Sequence, residues 1–307
     1  MKSEVKKKRL SALGWTCIYL VLVIVFLCSG GLIFHSTYYR SIFVSGTSMS
    51  PTLLGDPAKA NFGIIDTTDW AKKRIKRFDI VTTYFPWSYE GSSYYHDDED
   101  YSQESVQTGD FSVADGENPQ YKIKRVIAFG GESIFYFTHI NECGDFPEEL
   151  VNDIIIMKSR DDDHNGIDDG TGDIVAIYRD KYNPDEHENP QDKIDYENNN
   201  HVTIRDKTYE IQDLPFYRKK LSYNPTTTYA RHSLNYPLNY PIAIPTGRYF
   251  VMGDNWCGSY DCGSTRIPIY YDNIVGVLVA IEGTCTIVGE TGHKKCGDRH
   301  YIWPTVY

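Results

Sequence analysis

Residues Ala12 to Phe34 form 23 consecutive positions without a charged side chain. Wound as a helix at about 1.5 Å per residue, the run is about 34 Å long, against a bilayer hydrocarbon core of about 30 Å. It is long enough to span. Lys2, Lys6, Lys7, Lys8 and Arg9 precede it with only Glu4 opposing. The bias of basic residues towards the cytoplasm therefore predicts a cytoplasmic tail over 1–11, one transmembrane helix over 12–34 and everything from about His35 outside the cell membrane, a single-pass type II arrangement. The alternative is a cleaved signal peptide, whose apolar core would be unusually long and which no clean small-x-small site follows. Cys28 follows Val25-Phe26-Leu27, which lacks the small residues of a lipoprotein cleavage site.

Beyond the anchor the chain reads as β structure. Long stretches carry Thr, Ile, Val and Tyr, and the 25 tyrosines and 13 phenylalanines of the 307-residue chain favour pleated strands over helices. The whole chain carries a net charge of −11, of which the first nine residues contribute +4, so the remainder carries −15. That balance argues against nucleic acid as a partner and reads as a solvated acidic surface. Five cysteines lie outside the anchor: Cys143, Cys257, Cys262, Cys285 and Cys296. The four C-terminal ones are candidates for two disulfides or a zinc site, although no Cys-x-x-Cys spacing supports the metal.

Strand-like runs are expected at Ile42–Val44, Phe78–Phe85, Tyr121–Phe129, Ile154–Met157, Ile174–Tyr178 and His201–Ile211, with short buried strands from Tyr249 to Gly289. The basic cluster Lys72, Lys73, Arg74, Lys76 and Arg77 is expected as a solvated helix or loop near the membrane. Glu90–Gln120 is expected as an acidic loop, and the segments between the later runs as polar linkers. Phe85-Pro86-Trp87 and Ile302-Trp303-Pro304 are candidate aromatic anchors at the bilayer surface. Asp161, Asp163, Asn165 and Asp169 surround Gly166 like half of a calcium loop. Position 12 is Gly172 and not a bidentate Glu, so an Asp/Asn/Gly-rich hairpin turn is the competing reading.

Chemistry is suggested at Ser48, in the turn Val44-Ser45-Gly46-Thr47-Ser48-Met49-Ser50-Pro51. A serine hydroxyl becomes a nucleophile when a base takes its proton, and a lysine serves if its amine is neutral near pH 7. That requires burial worth roughly 3 pH units from the ordinary value of about 10.4. Lys124, between Ile123 and Val126 on a period-2 strand, is placed to be such a lysine; Lys122 points to the same face.

Four blocks now line up: Val44 to Leu53; Phe78-Asp79-Ile80-Val81; Lys124-Arg125-Val126-Ile127 with Gly130-Gly131-Glu132; and Gly253-Asp254-Asn255 with Ser259, Asp261 and Arg266. In order and spacing they resemble the motifs of bacterial type I signal peptidases. The resemblance implies Ser48 as nucleophile and Lys124 as general base, the backbone N–H of Ser48 as an oxyanion donor, and Ser259 as the hydroxyl that orients the lysine. It implies Asp254 and Asp261 as framework acids with Arg125 and Arg266 as partners, and Val44, Gly46, Met49 and Ile123 around the substrate pocket. Gly46 stands where some members place a second, side-chain donor, which is closer to the Gram-positive pattern. Three positions depart from the family: Phe78 replaces a usual Gly, Trp256 replaces a common Arg, and Cys262-Gly263-Ser264-Thr265 lengthens the approach to Arg266.

The expected fold is therefore mostly β: a signal-peptidase-type catalytic core over 36–135 and 246–290, with one N-terminal transmembrane helix, a second β-rich lobe inserted over 136–245 and a tail over 291–307. The expected activity is a serine endopeptidase that cuts signal peptides from Sec/Tat-exported preproteins at the lipid bilayer, with small residues at the two gripped positions and no cofactor. A self-cleaving Ser/Lys protease of the SOS-repressor type and an inactive surface-binding protein on the same scaffold are the alternatives.

Overall fold

The computed structural model describes residues 12–56, 59–84, 121–136, 146–147, 150, 153–160, 172–182, 189–218, 241–256, 258–259, 261–265, 268–288 and 293–297. The candidate calcium loop, Arg266, the acidic stretch 90–120 and both candidate aromatic anchors lie outside these residues. Helix α1 (Ala12–Tyr38) runs straight into strand β1 (Tyr39–Phe43). Within Gly14–Tyr38 an 18-residue stretch reaches a mean hydropathy of 2.7, and no residue from Gly14 to Tyr38 is buried against the rest of the chain. Apolar side chains bared along every side of a helix need an apolar surrounding, which is consistent with a membrane anchor.

The anchor leads into a nine-stranded antiparallel sheet. It contains β1, β2 (Gly55–Asp56), β3 (Lys59–Asp66), β4 (Ile80–Tyr84), β5 (Tyr121–Phe129), β12 (Arg248–Met252), β13 (Ile269–Tyr270), β14 (Ile274–Val288) and β15 (His293–Gly297). The order is β1-β3-β14-β4-β5-β12-β13, with β2 beside β3 and β15 beside β14. The exit of α1 is pinned to this sheet, because the backbone N–H and the hydroxyl of Thr67 both donate to the Tyr38 carbonyl at 2.8 Å. The short helix α2 (Asp69–Lys72), capped by Thr68, begins just beyond, so the start of the basic cluster sits at the anchor's end.

The second sheet has six strands in the order β11-β6-β7-β8-β10-β9: β6 (Glu132–Phe135), β7 (Ile154–Lys158), β8 (Ile174–Arg179), β9 (His201–Ile204), β10 (Lys207–Asp213) and β11 (Ile242–Ala243). All its pairings are antiparallel except β8 with β10. One apolar core joins the two sheets, with Val81, Val126 and Phe250 from the first and Ile134, Ile155 and Ile177 from the second. A smaller core gathers Val44, Met49, Leu53, Ile65, Ile80, Leu278 and Ile281 under the serine turn.

Strand β5 has the predicted bounds, but three expectations change. The block after Tyr249 is not made of short strands alone, since β14 runs for 15 residues. Its register shifts after Ile274, Leu278 and Ile281 let one strand serve β4, β3 and β15 in turn, and such bulges break the period that a sequence would display. His201–Ile211 is two strands. Arg205 (φ 49°) and Asp206 (φ 61°) form the hairpin between them, in a left-handed conformation that Asp tolerates but for which Arg205 is not a usual signal and no Gly follows. The stretch expected as linker before His201 holds helix α3 (Pro190–Asn198), started by an Asn189 cap and Pro190 and burying none of its residues. An element without an apolar stripe leaves no periodic trace.

Candidate active site

Strand β5 lies between β4 and β12 and is covered on both faces, so five consecutive positions, Lys124 to Ala128, are buried. Two of the five are cations. Lys124 pairs in register with Val81, and Arg125 with Ile80 on one side and Met252 on the other. The next residue after Met252 is Gly253, which brings the Gly-Asp-Asn segment alongside Lys124.

Arg125 is fully paired. Its Nε donates to Asp254 Oδ1 at 2.8 Å and its Nη2 to Asp254 Oδ2 at 2.6 Å, a two-pronged bond between buried groups. Its Nη1 donates to the Phe78 carbonyl at 2.8 Å. The Phe216 ring, in the segment that follows β10, lies 4.0 Å from the guanidinium carbon, a cation–π contact.

Lys124 is 2 % exposed. Its Nζ donates to Ser259 Oγ at 2.8 Å, and the Ser259 hydroxyl donates in turn to Asp261 Oδ2. A hydroxyl has one proton to give. With that proton committed to Asp261, Ser259 Oγ can only accept from the lysine, which fixes which side of the amine faces the serine. Asp261 also receives the backbone N–H groups of Gly253 (2.6 Å) and Gly263 (2.9 Å). Burial pushes the Asp261 carboxyl upward against the opposing pull of Lys124 and these donors. For Lys124, burial dominates, and its amine is lowered to about 8, with Asp261 opposing and Lys122 assisting the shift.

The serine turn sits against the same segment. Gly46 has φ 84° and its N–H donates to the Gly55 carbonyl at 3.1 Å; a side chain on Gly55 would collide with the Gly46 backbone. The Asn255 N–H donates to the Ser48 carbonyl at 2.9 Å, and Asn255 Nδ2 to the Thr47 carbonyl at 3.1 Å. Gly253 is wedged between the two halves: a Cβ there would strike both the Ser48 carbonyl and the Ser259 hydroxyl. One glycine thus separates the half-buried Ser48 from the group that holds Lys124.

The structure therefore brings Ser48, Lys124, Ser259, Asp254, Asp261 and Arg125 into one cluster. Val44 and Met49 are buried in the smaller core, with Ile123 packed against it, and Gly46 is exposed at the turn. Asn255 is a site residue that sequence reasoning missed, although its place in the contiguous Gly-Asp-Asn run was the signal. Phe216 had no signal, being far in sequence from every motif. Phe78 has φ 73°, a region in which a residue with a side chain is strained, and this is the physical reason a glycine suits that position. Among the C-terminal cysteines, Cys262 is free and buried, so the four do not form two disulfides. Cys285 is disulfide-bonded, and Cys296 is its register partner across β14 and β15. Among the described residues no group of three His, Cys, Asp or Glu is placed to hold a metal.

The described residues thus combine an apolar N-terminal helix, consistent with a membrane anchor, with an antiparallel sheet that holds a buried lysine close to a serine turn. The chain belongs to the signal peptidase family, peptidase S26, whose family model matches residues 14–140 and 188–281. No curated protein matches the chain. The stretch between the two matched segments contains β7 and β8, the central strands of the second sheet.

Proposed function

We propose that the chain is a membrane-bound serine endopeptidase that removes N-terminal signal peptides from exported preproteins, with Ser48 as nucleophile and Lys124 as general base. The observation that carries this reading is the state of Lys124: buried, lowered to about 8, and held by Ser259 one glycine away from the Ser48 turn. An amine with that value is partly neutral at physiological pH, and a neutral amine that donates to Ser259 keeps its lone pair free for the Ser48 proton. Attack of Ser48 Oγ on the scissile carbonyl would give an acyl-enzyme. The proton held by Lys124 passes to the leaving amine, and a water activated by the same lysine releases the acid. The Ser48 N–H is the oxyanion donor in this scheme.

Arg125 and Asp254 brace each other and Asp261 holds Ser259; Arg266 is the further framework partner that the resemblance implies. Val44, Gly46, Met49 and Ile123 line the pocket for small side chains. The basic tail places the N-terminus in the cytoplasm and the catalytic core, 36–135 with 246–290, on the outer face, with the lobe 136–245 inserted into it. Ser48→Ala and Lys124→Ala should each lower cleavage of a purified preprotein by at least about 10³-fold while each variant still unfolds in a cooperative thermal transition. Near-normal turnover by either variant would sink the assignment.

A further inference from the structure

The two peptide groups that flank Ser48 are both tied to one residue. The Asn255 N–H donates to the Ser48 carbonyl at 2.9 Å, and Asn255 Nδ2 donates to the Thr47 carbonyl at 3.1 Å. The Thr47 carbonyl also accepts from the Ser50 N–H at 3.0 Å. A trans peptide group is planar, so its carbonyl and the N–H of the next residue point in opposite directions within one rigid plate. Whatever holds the Thr47 carbonyl therefore aims the Ser48 N–H. That N–H has no acceptor among the described residues, which leaves it available to an incoming oxyanion. The bonds accepted by the Thr47 carbonyl also polarise the shared amide and make its N–H a stronger donor.

Asn255 is 6 % exposed. A carbonyl can only accept, so the Thr47 oxygen selects the nitrogen end of the side-chain amide. The other end, Oδ1, is buried with no hydrogen-bond partner among the described residues. Such an oxygen costs stability, so the fold itself gains little from an amide here. Gly258 keeps room for it: its N–H donates to the Asn255 carbonyl at 3.1 Å, and a Cβ on Gly258 would come to 3.0 Å from Nδ2.

We propose that Asn255 is a positioning residue for the oxyanion: its side-chain amide fixes the Thr47–Ser48 peptide plane and so directs the Ser48 N–H at the negative oxygen that forms when Ser48 attacks the scissile carbonyl. The inference rests on the Ser/Lys reading given above. Gly46 offers no side-chain donor beside that N–H, so its direction matters the more. The oxyanion exists only after attack, so a misdirected N–H lowers kcat and leaves substrate binding, read as KM, in place.

The test compares wild type, Asn255→Ala and Asn255→Leu as full chains in detergent micelles cleaving a preprotein. Both substitutions remove the donor, and Leu keeps nearly the same volume. Each should lower kcat by roughly 10- to 100-fold with KM changed by less than about twofold. The pH midpoint of the rate should stay at the wild-type value, because the base is untouched. A peptide aldehyde ending at the cleavage site supplies the second readout. Ser48 Oγ bonds to its carbonyl carbon, the hydroxyl proton passes to Lys124, and the aldehyde oxygen becomes the oxyanion. Its binding should weaken by a factor similar to that in kcat, while the matching peptide alcohol, which forms no adduct, should bind as to wild type. Wild-type kcat in either variant, equal weakening of aldehyde and alcohol, a moved pH midpoint, or loss of the cooperative thermal transition in both variants would overturn the proposal. Ser48→Ala run alongside separates the two readings. If it retains activity the Ser/Lys assignment itself fails; if it is inactive while Asn255→Ala keeps kcat, only the role of Asn255 fails.

Discussion

Strand β5 and strand β7 are both interior strands covered on both faces, yet they bury opposite kinds of side chain. In the middle of β5 lie Lys124 and Arg125; the matching stretch of β7 is Ile154, Ile155, Ile156 and Met157. Burying a cation is costly unless it is paired or gives up its proton. In β5 Arg125 takes the first solution and Lys124 moves towards the second, its amine lowered to about 8, and the groups that pair with or hold the two side chains come from outside the strand: Asp254, Phe78, Ser259 and Asp261. The nine-stranded sheet therefore carries the proposed base and depends on long-range partners to hold it. The six-stranded sheet carries none of the proposed catalytic groups and acts on the site by packing. Phe216 stacks on Arg125, Arg218 lies 4.3 Å from the Trp256 ring, and Phe78 inserts between Tyr178 at 4.9 Å and Phe216 at 5.6 Å.

The sharpest way to break this contrast is to remove one partner of an ion pair on each side. Arg125→Met leaves the Asp254 carboxylate buried without its cation, which should destabilise the fold by about 3–5 kcal/mol. Glu197→Ala removes the exposed Lys193–Glu197 pair on α3, 3.7 Å apart, and should cost no more than about 0.5 kcal/mol. Urea unfolding of both variants measures the difference. Comparable costs would mean that the Arg125–Asp254 pair is not the structural keystone its burial implies.

The same contrast explains what could be read from the sequence. The anchor was legible because 23 uncharged residues admit few alternatives, and β5 because its alternation is closed by Gly130-Gly131. The grouping of Ser48, Lys124 and Ser259 came from the resemblance, since a strand lysine by itself looks like surface. What stayed hidden was whatever depends on the other sheet. Nothing near Phe216 points to Arg125, and the left-handed backbone at Phe78 could be noticed only as a missing glycine. The parallel pairing of β8 with β10 joins segments separated by α3, a helix that the polar composition of its stretch concealed.

Lys124 offers a second test, because a buried amine that gives up its proton carries a stability cost with a defined pH window. Its folded value of about 8 lies below the ordinary 10.5. Below pH 8 both states bind the proton and the folded state bears the whole penalty. Between 8 and 10.5 the unfolded chain binds more protons than the folded one, so stability rises with pH; above 10.5 the effect ends. Lys124→Met removes the titration. It should be more stable than the wild type by up to about 3 kcal/mol below pH 8, with the gain fading by pH 10.5. Thermal unfolding from about pH 6 upward through this window reads it, and a gain that does not change with pH would mean the amine is not strained by burial. The equivalent exchange in the second sheet, Met157 to another apolar residue, should show no pH dependence.

The smallest effect tests how the two sheets hold each other. Phe78 donates its N–H to the Val126 carbonyl at 2.7 Å and accepts from Arg125 through its own carbonyl, so its backbone belongs to the first sheet. Its ring belongs to the second, edge-on to Tyr178. The docked ring offsets the strain of φ 73°. Phe78→Ala and Phe78→Gly both forfeit the ring, but only glycine relieves the backbone. Gly should therefore be the more stable of the two by about 1 kcal/mol, the reverse of the usual order in regular structure. Equilibrium unfolding of the pair decides it. If alanine is the more stable, the backbone at 78 relaxes once the ring is gone, and the left-handed turn under Arg125 is imposed by the second sheet, not by the first.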